Sequence, residues 1–112
     1  MISISVLEEV MLEEYERSIK IYRLLTEEIK MLPKGSIQKK RINNKNYSYL
    51  MYREGSKIKS KYVTEEELEE LNEKIQRRKE NVIALKEIKK SLQQIEEALG
   101  KRFINEHTTE TV

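Results

Sequence analysis

The sequence predicts an α+β protein, mostly helical, built as an antiparallel helical hairpin of coiled-coil type with an inserted three-stranded antiparallel β-meander. Three observations carry this prediction. Apolar residues recur at three- and four-residue steps in two long stretches, one toward each end of the chain. Between them lie three short runs separated by turn residues. A helix-start signature stands directly before each periodic stretch.

Ser5 with Glu8 fits a capping box, in which side-chain oxygens satisfy the orphan amides of a first turn. Helix one is expected over residues 6–31, with Val10 or Met11, Tyr15, Ile19, Tyr22, Leu25 and Ile29 as its apolar stripe. Leu32-Pro33 ends it, because the residue before proline is pushed out of the helical region. Strands are expected over 36–42, 47–53 and 57–63. Asn43-Asn44 suits the positive φ angles of a tight hairpin, and Glu54-Gly55 marks a second turn. Turns of two or four loop residues would gather Gln38, Lys40, Ile42, Tyr47, Tyr49, Met51, Ile58, Ser60 and Tyr62 on one face. Ile37, Lys39, Arg41, Leu50, Tyr52, Lys57, Lys59 and Lys61 would form the other. A three-residue loop with a bulge at Gly55 would instead shift strand three by one residue.

Thr64 with Glu67 is a second capping box, and Val63 and Leu68 can close a hydrophobic staple across it. Helix two is therefore expected over 65–99. Its stripe reads Leu68, Leu71, Ile75, Val82, Leu85, Ile88 or Lys89, Leu92, Ile95 and Leu99, broken once by Arg78, and Gly100 supplies the cap. Residues 1–100 are expected to form a single domain, followed by a flexible tail over 101–112. Helix two exceeds helix one by about nine residues, or roughly 13 Å. The surplus is expected to project past helix one at Leu92 to Leu99. A stripe exposed there calls for a homodimer through the helices.

Composition narrows the function classes. With no cysteine among 112 residues, disulfides, thiolate nucleophiles and cysteine metal sites are excluded. No apolar run approaches the roughly 18 residues of a membrane span, and Glu8 and Glu9 interrupt any leader-like start, so a cytoplasmic protein without membrane contact is expected. Neither a glycine-rich phosphate loop, a nucleophile elbow nor a histidine pair is present, and His107 is the sole histidine. The glutamate clusters sit at helix starts and on solvent faces, near lysines one turn away. The chain is expected to be no enzyme and to hold no cofactor and no metal.

The net charge of +2 conceals an asymmetry. Pro33 to Val63 carries nine Lys or Arg against one acid, Glu54, giving +8; the remaining 13 basic and 19 acidic residues give −6. A basic block flanked by acidic helices points to a nucleic-acid backbone or an acidic protein surface as partner. Lys57, Lys59 and Lys61 alternate along one strand, so they project to one side about 6.6 Å apart, near the phosphate spacing of a nucleic-acid strand. The expected nucleic-acid-binding residues are Lys39, Arg41, Tyr52, Lys57, Lys59 and Lys61. Tyr52 is the stacking candidate among them. Tyr47, Tyr49 and Tyr62 are expected to be packing residues. Lysines along an edge strand also have a plainer role, which is to keep it from pairing with other chains.

The segment KGSIQKKRINNKNYSYLMYREGSKIKSKYV, residues 34–63, resembles a pattern found in small uncharacterised proteins of bacteria, archaea and mobile elements. Its Lys-Gly-Ser start leads into a Tyr-rich strand and a Gly-Lys hairpin. The order of three strands and a helix is also similar to the arm-binding domain of tyrosine recombinases, which inserts its sheet into the DNA major groove. That resemblance implies that Lys39, Arg41, Lys57, Lys59 and Lys61 face DNA rather than RNA. The chain departs from it in its long leading and trailing helices and in lacking a catalytic recombinase region. Helix, hairpin and helix in so short a chain further resembles prefoldin subunits in architecture. This second likeness implies a competing class, a scaffold, chaperone-like or inhibitor protein that binds a protein partner through its helices.

Overall fold

The computed structural model describes residues 5–100. Two helices and three strands follow in the order α1 (Val6–Met31), β1 (Ser36–Ile42), β2 (Lys45–Glu54), β3 (Lys57–Val63) and α2 (Glu65–Leu99). The protein is α+β and mostly α. The expected tail, with His107, lies outside the described residues.

Both helix starts are capped as the sequence implied. The Glu8 amide donates to Ser5 Oγ at 3.2 Å, and the Ser5 hydroxyl donates to the Glu8 carboxylate. Thr64 and Glu67 form the reciprocal box, with Glu67 N–H on Thr64 Oγ1 at 3.3 Å and Thr64 N–H on the Glu67 carboxylate at 3.4 Å. Each cap stabilises its helix by about 1 kcal/mol. Gly100 ends α2 at φ 85°, its amide bonded to the Glu96 carbonyl at 2.8 Å. Only glycine takes that left-handed conformation without steric cost.

The sheet is a meander in the order β1-β2-β3, antiparallel throughout. Asn43 and Asn44 both have positive φ, 51° and 65°, which matches the twist of the flanking strands, and the ladder continues up to the turn as Ile42 opposite Lys45. The second turn places Gly55 at φ 63° and pairs Glu54 with Lys57. For this reason β2 runs over Lys45–Glu54, longer at both ends than the expected 47–53.

The described residues divide into two compact units: residues up to Glu27 with those from Ile83, and Glu28 to Val82. In the first unit α1 and α2 run antiparallel. The Tyr15 hydroxyl donates to Glu96 Oε1 at 3.0 Å, and Lys89 Nζ lies 5.9 Å over the Tyr22 ring. Leu12, Tyr15 and Ser18 are buried. The stripe on α1 therefore includes Leu12 and Ser18, which periodicity had not singled out, and it contains Met11 rather than the exposed Val10. In the second unit Arg77 of α2 pairs with Glu28 near the end of α1. Val63 and Ile75 are its buried apolar residues. The expected stripe positions on α2 are buried or half-buried, with Ile88 rather than the exposed Lys89 among them, and so is Arg78, whose Nε is shielded from solvent.

These pairings overturn the expected surplus. Tyr15 lies beside Glu96 with nine further residues of α1 before it, so α1 runs alongside Leu92 to Leu99. Toward the other end of α1, Glu28 pairs with Arg77 of α2. Leu68 borders the sheet residues Tyr62 and Val63.

Candidate functional site

Residues directly opposite each other in an antiparallel ladder point to the same face. Ile37 opposite Leu50, Lys39 opposite Ser48, Leu50 opposite Lys61 and Tyr52 opposite Lys59 fix one face; Gln38 opposite Tyr49 and Tyr49 opposite Tyr62 fix the other. All six expected site residues, Lys39, Arg41, Tyr52, Lys57, Lys59 and Lys61, fall on the first face. Its five cations are exposed, and Tyr52 is half-buried. The face carries one acid.

That acid is Glu54. Its carboxylate accepts from Lys59 Nζ at 2.6 Å, and it stands directly opposite Lys57. Both members of the Lys59 pair are about half exposed, so the contact contributes at most about 1 kcal/mol. It nevertheless neutralises part of the charge of Lys59. Lys39 shares an open depression of about 550 Å³ with Glu65 and Leu68 of α2, and Lys61 borders another with Glu67 and Glu70. The acidic first turns of α2 thus stand close to one end of the basic face.

Tyr52 sits next to Gly35, and the two line a depression with Lys34 and Gly55.

The tyrosines of the other face pack as expected, but on one another. Tyr49 and Tyr62 meet edge to face with centroids 5.8 Å apart, and Tyr47 lies 6.2 Å from Tyr62. Lys40 Nζ stands 5.1 Å over the Tyr49 ring. Ile42, Ile58 and Tyr62 remain exposed, Ile58 at 65% and Tyr62 at 51%. Lys40, Lys45 and Arg53 share this face, so a second basic and aromatic surface exists that the sequence reading had not put forward. Its signal was the same two-residue alternation, read for Lys40 opposite Tyr47 rather than for the lysine run alone. Among the described residues no group of three His, Cys, Asp or Glu is placed to hold a metal ion, and no helix is long and apolar enough to cross a membrane.

A family model described as Domain of unknown function (DUF6788) matches residues 11–73, more than half of the chain. The chain belongs to this family. The DUF6788 match takes in most of α1, the whole sheet and the first turns of α2, and so contains all six candidate residues. No curated protein and no solved structure matches the chain.

Proposed function

We propose that this protein is a non-enzymatic, cytoplasmic nucleic-acid-binding accessory protein that contacts a phosphate backbone through the basic face of its meander, with DNA preferred to RNA. The observation that carries the reading is the register: it brings Lys39, Arg41, Lys57, Lys59 and Lys61 onto one exposed face with Tyr52 among them. The likeness of the strand order to recombinase arm-binding domains, and of the central segment to proteins of mobile elements, supports a sheet lying in a major groove, where a β-ribbon fits.

Salt dependence tests it. Three phosphate contacts by Lys57, Lys59 and Lys61 correspond to a slope of about −2.7 in log affinity against log salt for duplex DNA. Changing all three to glutamine should flatten the slope by that amount and leave stability within about 0.5 kcal/mol of the parent. Taken singly, Lys59→Gln should flatten it least, because Glu54 already holds that lysine. A parent protein that binds no duplex at low salt, or a triple variant that binds as tightly as the parent, rejects the reading.

Tyr52→Ala should weaken single-stranded binding by about 1 to 3 kcal/mol if the ring stacks on a base. Fluorescence anisotropy with a short oligonucleotide reads this directly, and an unchanged affinity would remove Tyr52 from the interface.

The exposure of Ile42, Ile58 and Tyr62 favours a second reading, an interaction protein whose partner is another protein. The absorbance ratio at 260 and 280 nm of the purified protein separates the two, and the absence of Trp makes it sensitive. A nucleic-acid binder should carry bound nucleic acid; an interaction protein should be clean.

A further inference from the structure

The helix α1 carries a second stripe that its packing against α2 leaves open. Leu7, Val10, Glu14, Arg17, Ile21 and Leu24 follow one another at steps of three and four, the a and d positions of successive heptads. All six are exposed, Leu7 at 69% and Leu24 at 71%. The stripe lies about a third of a turn from Leu12, Tyr15 and Ser18, the buried side. Single exposed apolar residues need no explanation, whereas four of them in heptad register around a charged centre form a coiled-coil seam.

We propose that this seam pairs with the same seam of a second copy, antiparallel, about a two-fold axis between residues 15 and 16. The stripe is self-complementary in that one register. In an antiparallel coil each a position meets a d position, so Leu7 faces Leu24 of the second copy, Val10 faces Ile21, and Glu14 faces Arg17. Within one chain Arg17 Nη1 already bonds Glu14 Oε2 at 2.7 Å. The axis brings two such pairs together as a four-charge cluster flanked by apolar layers. Glu13 and Lys20, both exposed at g positions beside the stripe, meet as opposite charges across the same axis. A slide of one heptad sets Ile21 on Arg17 and Leu24 on Glu14, and a parallel pairing sets Glu14 on Glu14 and Arg17 on Arg17. Charge selects the antiparallel register in the way e, g and polar a positions select partners in other coiled coils. The occupant is therefore a second copy rather than an unrelated apolar helix, which would have to supply its own acid and base at the centre. An isologous contact of this kind closes on itself as a dimer.

Light scattering and cysteine cross-linking test this without reference to what the sheet binds. The parent should be a dimer at high micromolar concentration. Glu14→Arg places like charges at two symmetry-related contacts and should weaken the dimer by about tenfold or more, with helicity by circular dichroism unchanged because the site is exposed. Adding Arg17→Glu to it should restore dimerisation. The chain has no cysteine of its own, so Leu7→Cys with Leu24→Cys should oxidise to a covalent dimer. Leu7→Cys alone should stay monomeric on a denaturing gel, since its copies lie roughly 25 Å apart along an antiparallel pair. Three results would each overturn the proposal: a monomeric parent, a charge swap no better than its single variant, or efficient cross-linking by Leu7→Cys alone. A monomer that still shows the salt slope would reject the dimer and leave the sheet's role standing.

Discussion

Gly35→Ala should destabilise the protein by about 3 kcal/mol or more, the largest loss expected from removing so little. Gly35 adopts φ 125°, a region that L side chains rarely enter, at the point where the chain leaves Pro33 and turns into β1. A Cβ there would collide with the carbonyl oxygen of Met51 and lie 3.1 Å from Leu50 Cδ1. Met51 is the Cα partner of Ser36, the first rung of the β1 ladder, so its backbone cannot yield without loosening that strand. Gly55→Ala is the control. Gly55 also has positive φ, 63°, but a Cβ there meets nothing within 4 Å, so the cost should be about 1 to 2 kcal/mol of backbone strain alone. Urea titrations of the two variants separate the terms, and equal losses would mean that the collision with Met51 is relieved elsewhere. Because β1 carries Lys39 and Arg41, loosening it should also weaken any binding by the basic face.

The second large effect is alkaline destabilisation through Tyr15. This phenol is buried, and its hydroxyl donates to Glu96 Oε1 at 3.0 Å. Burial first, and then the hydrogen bond to Glu96 and its negative charge, push the pKa from 10.0 up to about 12. A raised pKa on an acid means that the folded state holds the proton more tightly than the unfolded chain. The contribution is thus fully present below about pH 10 and is lost as pH rises from there toward about 12. At about 1.4 kcal/mol per pKa unit the full loss is about 2 to 3 kcal/mol. Urea midpoints measured from pH 8 to 11.5 should fall more steeply for the parent than for Tyr15→Phe, which cannot ionise. At pH 8 that variant should itself be less stable by about 1 kcal/mol, the worth of the hydrogen bond with Glu96 left partly enclosed. Parallel pH profiles for the two proteins would remove Tyr15 from the alkaline transition.

Local chemistry made most of the fold legible. Ser5 with Glu8 and Thr64 with Glu67 located both helix starts, Pro33 and Gly100 their ends, and Asn43-Asn44 with Gly55 the two turns. All of these act over at most four residues, so a linear reading contains the groups that interact. The shared face of Lys39, Arg41, Tyr52, Lys57, Lys59 and Lys61 followed from strand alternation only for turns of two or four residues; a three-residue loop with a bulge at Gly55 would have turned strand three over, and the pairing of Glu54 with Lys57 decides between them. The Lys59 pair with Glu54 was less accessible: it joins diagonal neighbours on adjacent strands, and a side-chain rotamer decides it.

The sequence by itself determined the order of the helices and strands, where each helix begins and ends, and where the charge gathers. Only the tertiary structure decided how far α1 extends along α2, which expectation had placed wrongly at Leu92 to Leu99. A heptad stripe looks the same after a slide of seven residues, about 10 Å, so periodicity cannot choose the stagger. The choice falls to long-range contacts such as Tyr15 with Glu96 and Arg77 with Glu28. Tertiary structure also decided which apolar residues remain outside, Leu7, Val10, Ile21 and Leu24 on α1 and Ile58 with Tyr62 on the sheet. Periodicity marks a residue as able to be buried, and only the packing of distant elements determines whether anything covers it.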